Sequence, residues 1–165
     1  METVYLALGA NLGDRAANLA AARQALAPQF VIEVCSPVYE TEPAYVLDQP
    51  RFLNQVCRAQ TALEPLPALR QLKAIEAELG RTAGRRFGPR LIDLDLLLYG
   101  ATMMETPELT LPHPRLAERP FVLVPLADIA PNLVHPRLGL TMAELRGRLG
   151  DTRQAIWLAA GEAAG

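Results

Sequence analysis

An α+β domain is what this sequence predicts, and three observations predict it. Strand-like and helix-like stretches follow one another in the order β-α-β-β-α-β over the first hundred residues. The hydrophobic share is 50% and the charged share 21%, an ordinary balance for a packed globular chain. No internal repeat, low-complexity tract or long linker divides the 165 residues, a length that one core can serve. The order is that of a ferredoxin-like core, here with an additional C-terminal strand and helices. Residues 1–165 are therefore expected to be a single domain, with 151–165 a tail whose order the sequence does not settle.

Each element has its own warrant. Residues 4–8 are a short apolar strand closed by Gly9-Ala10-Asn11-Leu12-Gly13-Asp14. Asp14 is placed to cap a helix running to about residue 27, with Leu12, Leu19, Ala22 and Leu26 as its apolar stripe. The glycine loop between them fits neither G-x-x-x-x-G-K-[ST] nor G-x-G-x-x-G, which favours a plain tight turn over a phosphate cradle. Residues 30–40, β-branched and alternating, predict a second strand. The stretch 41–50, with Pro43, Asp48, Gln49 and Pro50, predicts a loop. Residues 52–62 are the third strand, on which Phe52 and Asn54 share a face. An aromatic beside an amide can stack on and hydrogen-bond a flat heterocycle, although such a pair on its own is more often packing plus a satisfied polar group.

Residues 65–79 predict a helix: Leu69, Leu72, Ile75 and Leu79 recur at helical spacing and Gly80 takes the C′ position. Glu76 falls in its last turn, where the helix dipole disfavours a carboxylate, so it serves a ligand or faces solvent. The fourth strand is 91–99. Beyond it, 100–108 reads as turns and 109–115 as an extended run that fixes His113 between Pro112 and Pro114. Residues 120–130 predict an apolar helix made irregular by Pro125. Thr141 and Glu144 form a capping box for a last helix to about residue 149.

Charge and cysteine usage exclude several classes of function. The formal net charge of -2 argues against a general nucleic-acid or membrane-surface binder. An RNA-binding module on this fold would need surface aromatics and a basic sheet face, and neither is evident. Cys35 and Cys57 lack C-x-x-C spacing and are expected to be small buried residues in a reducing compartment. The N-terminus lacks a signal-peptide pattern and no apolar run is long enough to span a bilayer, so a cytoplasmic location is expected.

The chemistry concentrates in residues 81–99. Arg81, Arg85, Arg86 and Arg90 precede an apolar strand interrupted only by Asp93 and Asp95. In an extended strand these two carboxylates share a face, roughly 6.6–6.8 Å apart at Cα. The flanking leucines make the strand look buried on both faces, where paired carboxylates are costly without cations. Hard divalent ions suit such a pair, and arginines just upstream could hold a polyphosphate against them. That is the outline of a phosphoryl-transfer site; a solvated strand edge beside an exposed arginine face is the plainer alternative.

Seven collinear stretches then carry a resemblance. They are L-G-A-N-L-G-D-R (8–15), Y-E-T-E-P (39–43), Q-P-R-F-L-N (49–54), I-E-A-E-L-G-R (75–81), R-F-G-P-R-L-I-D-L-D (86–95), L-T-L-P-H-P-R (109–115) and R-P-F-V-L-V-P-L (119–126). Together they cover most of residues 4–131, and the chain resembles the 6-hydroxymethyl-7,8-dihydropterin pyrophosphokinases of folate biosynthesis. The resemblance implies transfer of the pyrophosphoryl group of ATP to the pterin hydroxymethyl group with two Mg²⁺, by a monomer whose partners are these small molecules, with no nucleic acid and no membrane. It implies Asp93 and Asp95 as metal ligands, and Arg81 and Arg90 as phosphate-facing arginines of a catalytic loop. ATP contacts would come from Glu76, Leu96, Thr110, His113 and Arg119. The pterin would lie between Phe52 and Phe121, its edge read by Asn54 and by the backbone around Thr41, Pro43 and Ala44. Phe87 stands where tryptophan is often found, and can still close over the ring. The loops 41–51 and 81–92 are expected to close over the two substrates.

Overall fold

The computed structural model describes residues 1–43, 48–80, 91–153 and 155–159. Its elements are β1 (Glu2–Ala10), α1 (Arg15–Leu26), β2 (Phe30–Cys35), β3 (Tyr39–Thr41), β4 (Phe52–Thr61), α2 (Pro65–Gly80) and β5 (Asp93–Tyr99). There follow a small hairpin of β6 (Met104–Glu105) and β7 (Thr110–Leu111), then α3 (Pro120–Ile129), α4 (Met142–Arg148) and β8 (Ile156–Leu158). The main sheet runs β5-β1-β4-β3-β8, with β2 beside the other half of β4. Every pairing in it is antiparallel. β2 and β3 thus serve as one bent strand along β4, and the expected ferredoxin-like α+β core is what forms.

The expected single strand 30–40 is corrected to two. Pro37 has no N–H to give the ladder. Ser36 substitutes for the lost pairing: its N–H donates to Val56 O (2.8 Å), its Oγ accepts from Val56 N–H (3.0 Å), and its carbonyl accepts from Gln55 Nε2 (2.8 Å). The tail, whose order the sequence left open, contributes a C-terminal strand, since Ile156–Leu158 pair with β3. Two caps form as read. Asp14 accepts from Ala17 N–H, and Thr141 and Glu144 bond each other's backbone reciprocally. The helix holding Pro125 is unbroken over Pro120–Ile129.

Cys35 and Cys57 are also corrected. They stand opposite one another in the β2–β4 register, with Cα atoms 4.1 Å apart, and are joined as a disulfide. Spacing along the chain could not reveal this, because strand register alone brings the pair together. The reducing-compartment expectation rested on two unpaired thiols and loses that support.

The sheet separates two apolar layers. On one face Val4, Leu6, Leu8 and Ala10 of β1, with Leu94 and Leu96 of β5, pack against Leu19, Leu26, Leu72 and Ile75 of α1 and α2. On the other, Tyr5, Val56, Leu97 and Leu98 pack against Val122, Leu123, Leu126, Met142 and Leu145 of α3 and α4. A register shift opposite Tyr5 and Leu6 leaves Leu97 as an extra residue in β5, so Leu97 and Leu98 join the same layer. Among the described residues no helix is long and apolar enough to cross a membrane.

Candidate active site

The second face is covered at one end only. Where α3 begins, the sheet floor is made of small residues, Ala7 and Gly9, and a cavity of about 320 Å³ opens above them. Register places the walls. Gly9 pairs with Asp93 on one side and Asn54 on the other, and Ala7 pairs with Asp95. With strands about 4.8 Å apart, the Asp93 and Asn54 positions lie about 10 Å from each other across the glycine. The cavity is lined by Asp93, Asp95, Lys73, His113 and Arg119 toward β5, and by Thr41, Glu42, Gln49, Phe52, Asn54 and Phe121 toward β3 and β4.

At the β5 end the groups are charged and interlocked. Asp93 and Asp95 share the cavity face, as the two-residue period requires. Glu76 of α2 stands behind them: its carboxylate accepts the Leu94 N–H (2.7 Å) and pairs with Lys73 (3.2 Å). Burial, and then the hydrogen bond shared with Asp93, push the Glu76 carboxyl up to about 7, against the opposing pull of Leu94 N–H and Lys73. Burial works to lower the Lys73 ammonium, yet Glu76, Asp95 and Asp93 outweigh it and hold it above its ordinary value. His113 is pushed down to about 4 by burial, then by Arg119 and Arg115. It is a neutral imidazole at pH 7. Its Nδ1 accepts the Arg115 N–H (3.2 Å), which leaves Nε2 as the protonated nitrogen, a donor.

At the other end the groups are aromatic and neutral. Asn54 is buried, and its Nδ2 donates to Thr41 Oγ1 (2.6 Å), so its carbonyl oxygen is turned toward the floor. A Cβ on Gly9 would meet that oxygen at 2.8 Å and the Phe52 ring at 3.6 Å. Glycine is needed at this point by space. Phe52 and Phe121 both line the cavity, and the Arg119 guanidinium lies 5.5 Å from the Phe121 ring centre. Behind this wall the Tyr39 hydroxyl donates to Asp128, which also pairs with Arg146 of α4 (3.5 Å). Burial, then that hydrogen bond, raise the Tyr39 phenol.

The expected site residues separate into three groups. Asp93, Asp95, His113, Arg119, Thr41, Phe52, Asn54 and Phe121 converge on one cavity although they come from five segments of chain. Glu76, Leu96, Thr110 and Pro43 do not line it. Leu96 is buried in the layer beneath the sheet, so only its main chain could reach a nucleotide, and Glu76 supports β5 from behind. Arg81, Phe87, Arg90 and Ala44 lie outside the described residues. Lys73 was missed as a site residue; its signal was its place one helical turn from Glu76 on α2. Gly9 and Gln49 were not assigned to the site although both lie in stretches that carry the resemblance, and Glu42, within the segment expected to read the pterin edge, lines the cavity as well.

Among the described residues no group of three or more His, Cys, Asp or Glu is arranged to hold a metal ion. A cation here would be held by the two aspartates, with its other positions left to water or ligand oxygens, an arrangement that Mg²⁺ accepts.

Residues 5–131 match the family of 7,8-dihydro-6-hydroxymethylpterin-pyrophosphokinase (HPPK). The chain is 44% identical over 138 residues to the 2-amino-4-hydroxy-6-hydroxymethyldihydropteridine pyrophosphokinase of Pseudomonas aeruginosa, covering 82% of this chain and 85% of that one. It is 42% identical over 143 residues to the folic acid synthesis protein FOL1 of Dictyostelium discoideum, covering 87% of this chain and 22% of that protein. The crystal structure of Plasmodium falciparum HPPK-DHPS wild type with SDX-DHP superposes with a TM-score of 0.68 at 18% identity, over 90% of this chain and 43% of that one, and shares the fold. The chain thus spans less than a third of the length of several curated relatives. By the extent of the family match and the identity to the Pseudomonas protein, the chain belongs to the 7,8-dihydro-6-hydroxymethylpterin-pyrophosphokinase family.

Proposed function

We propose that this chain transfers the pyrophosphoryl group of ATP to 6-hydroxymethyl-7,8-dihydropterin, giving AMP and the pterin pyrophosphate, a step of tetrahydrofolate biosynthesis. The observation that carries the proposal is the two-ended cavity: paired carboxylates with cationic neighbours at one end, two aromatic rings and a buried amide at the other. A polyphosphate suits the first end and a flat, polar-edged ring the second. The hydroxymethyl oxygen attacks the β-phosphorus and gives up its proton, the bond from that phosphorus to the α,β-bridging oxygen breaks, and AMP leaves with that oxygen. Family membership supports the same reading, since the Pseudomonas relative, named as a pterin pyrophosphokinase, is covered over most of its length.

The chain's own residues supply positioning and charge, the main requirements of phosphoryl transfer. Phe52 and Phe121 hold the pterin plane. The Asn54 carbonyl oxygen, fixed by Thr41, accepts from the amide-like edge of the ring. Neutral His113 donates through Nε2 to a phosphate oxygen without adding charge, while Arg119 and Lys73 bring charge to the same end. Asp93 and Asp95 would hold two Mg²⁺, which supply Lewis-acid neutralisation of phosphate charge when bound. In the same proposal Arg81 and Arg90 face the phosphates, and Phe87 closes over the pterin. Glu76, Thr110 and the Leu96 main chain border the nucleotide, and Pro43 and Ala44 border the pterin.

The test is ³¹P NMR of the protein with ATP and Mg²⁺, with and without the pterin. AMP and a new diphosphate ester that form only with pterin are expected. ADP with a monophosphate ester would refute the reaction while keeping the site, and intact ATP would refute the enzyme.

A further inference from the structure

The third strand of the sheet edge has two working faces. On one, Thr41 of β3, with Phe52 and Asn54 of β4, faces the cavity. On the reverse, Glu40 points toward α1 and β8, and beside it the chain on either side of β4's entry is gathered into a single network. β8 supplies the outermost part of it. Trp157 is the register partner of Glu40, the Glu42 N–H donates to Ala155 O (3.1 Å), and the Arg51 guanidinium sits 4.7 Å from the Trp157 ring centre. Arg51 Nε also pairs with Glu42 Oε1 (3.2 Å), and Arg51 O accepts from Arg15 of α1 (2.9 Å), which pairs in turn with Glu40 (3.2 Å). Asn11 completes it by donating to Gln49 Oε1 (2.8 Å) and Pro50 O (3.0 Å). Two members, Glu42 and Gln49, are themselves cavity wall.

We propose that β8 is a clasp for the pterin end of the cavity: Trp157, by seating Arg51 against Glu42, positions the wall formed by Glu42, Gln49 and Phe52. The inference rests on the functional reading above and goes beyond it, because β8 lies past residue 131, where the family match stops. Trp157 and Arg51 are positioning residues and touch no reacting atom. β5, with Lys73, His113 and Arg119, builds the other end of the cavity and takes no part in the clasp. The consequence is a selective one: disturbing the clasp weakens use of the pterin and leaves use of ATP alone.

The test is a double-mutant cycle read by steady-state kinetics with each substrate varied in turn. Trp157→Ala and Arg51→Ala are each expected to raise KM for the pterin about two- to fivefold, the size of a partly exposed cation–π contact, with kcat and KM for ATP unchanged. The double variant is expected to be no worse than Arg51→Ala alone, since Trp157 acts only through Arg51. Trp157→Phe and Arg51→Lys keep a ring and a cation and should restore most of the affinity. As the sole tryptophan, Trp157 should also change its emission on addition of pterin to the unsubstituted protein, and not on addition of ATP alone. An unchanged pterin KM, an equal rise in both KM values, or additive losses in the double variant would overturn the clasp. Failure of the unsubstituted protein to form AMP with pterin is a different result: it overturns the functional reading, and the clasp with it. If Trp157→Ala loses its circular dichroism, the Arg51 pair of variants carries the test alone.

Discussion

On β1 the side chains facing α1 and α2 are Val4, Leu6, Leu8 and Ala10, all buried and mostly large; those on the reverse are Tyr5, Ala7 and Gly9, diminishing toward the cavity. The same contrast holds on β5, where Leu94 and Leu96 enter the first layer and Asp93 and Asp95 the second. One face therefore spends its area on packing and the other gives up packing at one end to leave room and charge. The taper from Tyr5 to Gly9 is what makes the cavity, since a sheet floor rises wherever a side chain does. The two faces should therefore answer to substitution in different currencies: the helix-covered face in stability, and the open face in kinetics.

The largest expected effect is on the open face. Asp95→Ala should lower kcat by about 10³-fold or more, the loss of several kcal/mol of charge stabilisation in the transition state, with unfolding midpoint close to that of the parent. Quenched-flow or steady-state AMP formation together with a urea melt reads both quantities. Retained turnover in a folded Asp95→Ala would remove the phosphate end from that face.

The matched change on the closed face is Leu6→Ala. Leu6 is fully buried among the residues of the first layer, and truncation there should cost about 3 kcal/mol of stability in urea unfolding. Both KM values should stay where they were at a temperature where the variant is folded. A rise in either KM would mean that the layers are mechanically coupled through the strand.

How far this contrast was legible in the sequence follows from what each feature depends on. Asp93 and Asp95 stood out because polar residues inside an apolar run are rare, and alternation alone puts them on one face and Leu94 and Leu96 on the other. By the same rule Leu96 could have been assigned to the core. Caps were legible for a local reason: Asp14, and Thr141 with Glu144, act within three residues of themselves. What depends on register or partners was hidden. The Cys35–Cys57 pairing, the placing of Gly9 between Asp93 and Asn54, and the seating of Arg51 under Trp157 are set by strands distant in sequence. β8 is three residues in an alanine- and glycine-rich tail, and its conformation comes from the open edge of β3. The split at Ser36 and Pro37 had a local signal, the proline, that the surrounding β-branched residues outweighed.

A third effect uses titration at the open face. His113 titrates at about 4 in the folded protein because of burial, Arg119 and Arg115, with Asp93 opposing them, against 6.5 when exposed. A depressed imidazole means the unfolded chain binds the extra proton, so stability is full above pH 6.5 and declines as pH falls toward 4. Between pH 8 and pH 5 this one group should account for about 2 kcal/mol. Subtracting the urea stabilities of His113→Gln from those of the parent at both pH values isolates it, because His135, also lowered, is present in both proteins. Parallel pH dependence in the two proteins would mean that His113 is protonated as easily folded as unfolded, and its role as a neutral donor would fall.

The smallest effect is the finest test of the difference between faces, and it falls on Gly9. Gly9→Ala adds one methyl group in the same strand as Leu6, but pointing into the cavity. That Cβ would come within 2.8 Å of the Asn54 oxygen, and Asn54 cannot turn away freely because its Nδ2 is bonded to Thr41 at 2.6 Å. The amide must shift or the strands must separate, at a cost of about 1–2 kcal/mol, which is roughly 5- to 30-fold in affinity if the pterin edge bears it. KM for the pterin should rise by that amount, while the phosphate end, a strand away at Asp93 and Asp95, leaves KM for ATP unchanged. The stability loss should be smaller than for Leu6→Ala, since space is overfilled here and no buried leucine is removed. If Gly9→Ala instead lowered stability and left both KM values alone, the glycine would be serving the packing of β1, and the boundary between the packed and open parts of the second face would lie nearer Asn11 than Ala7.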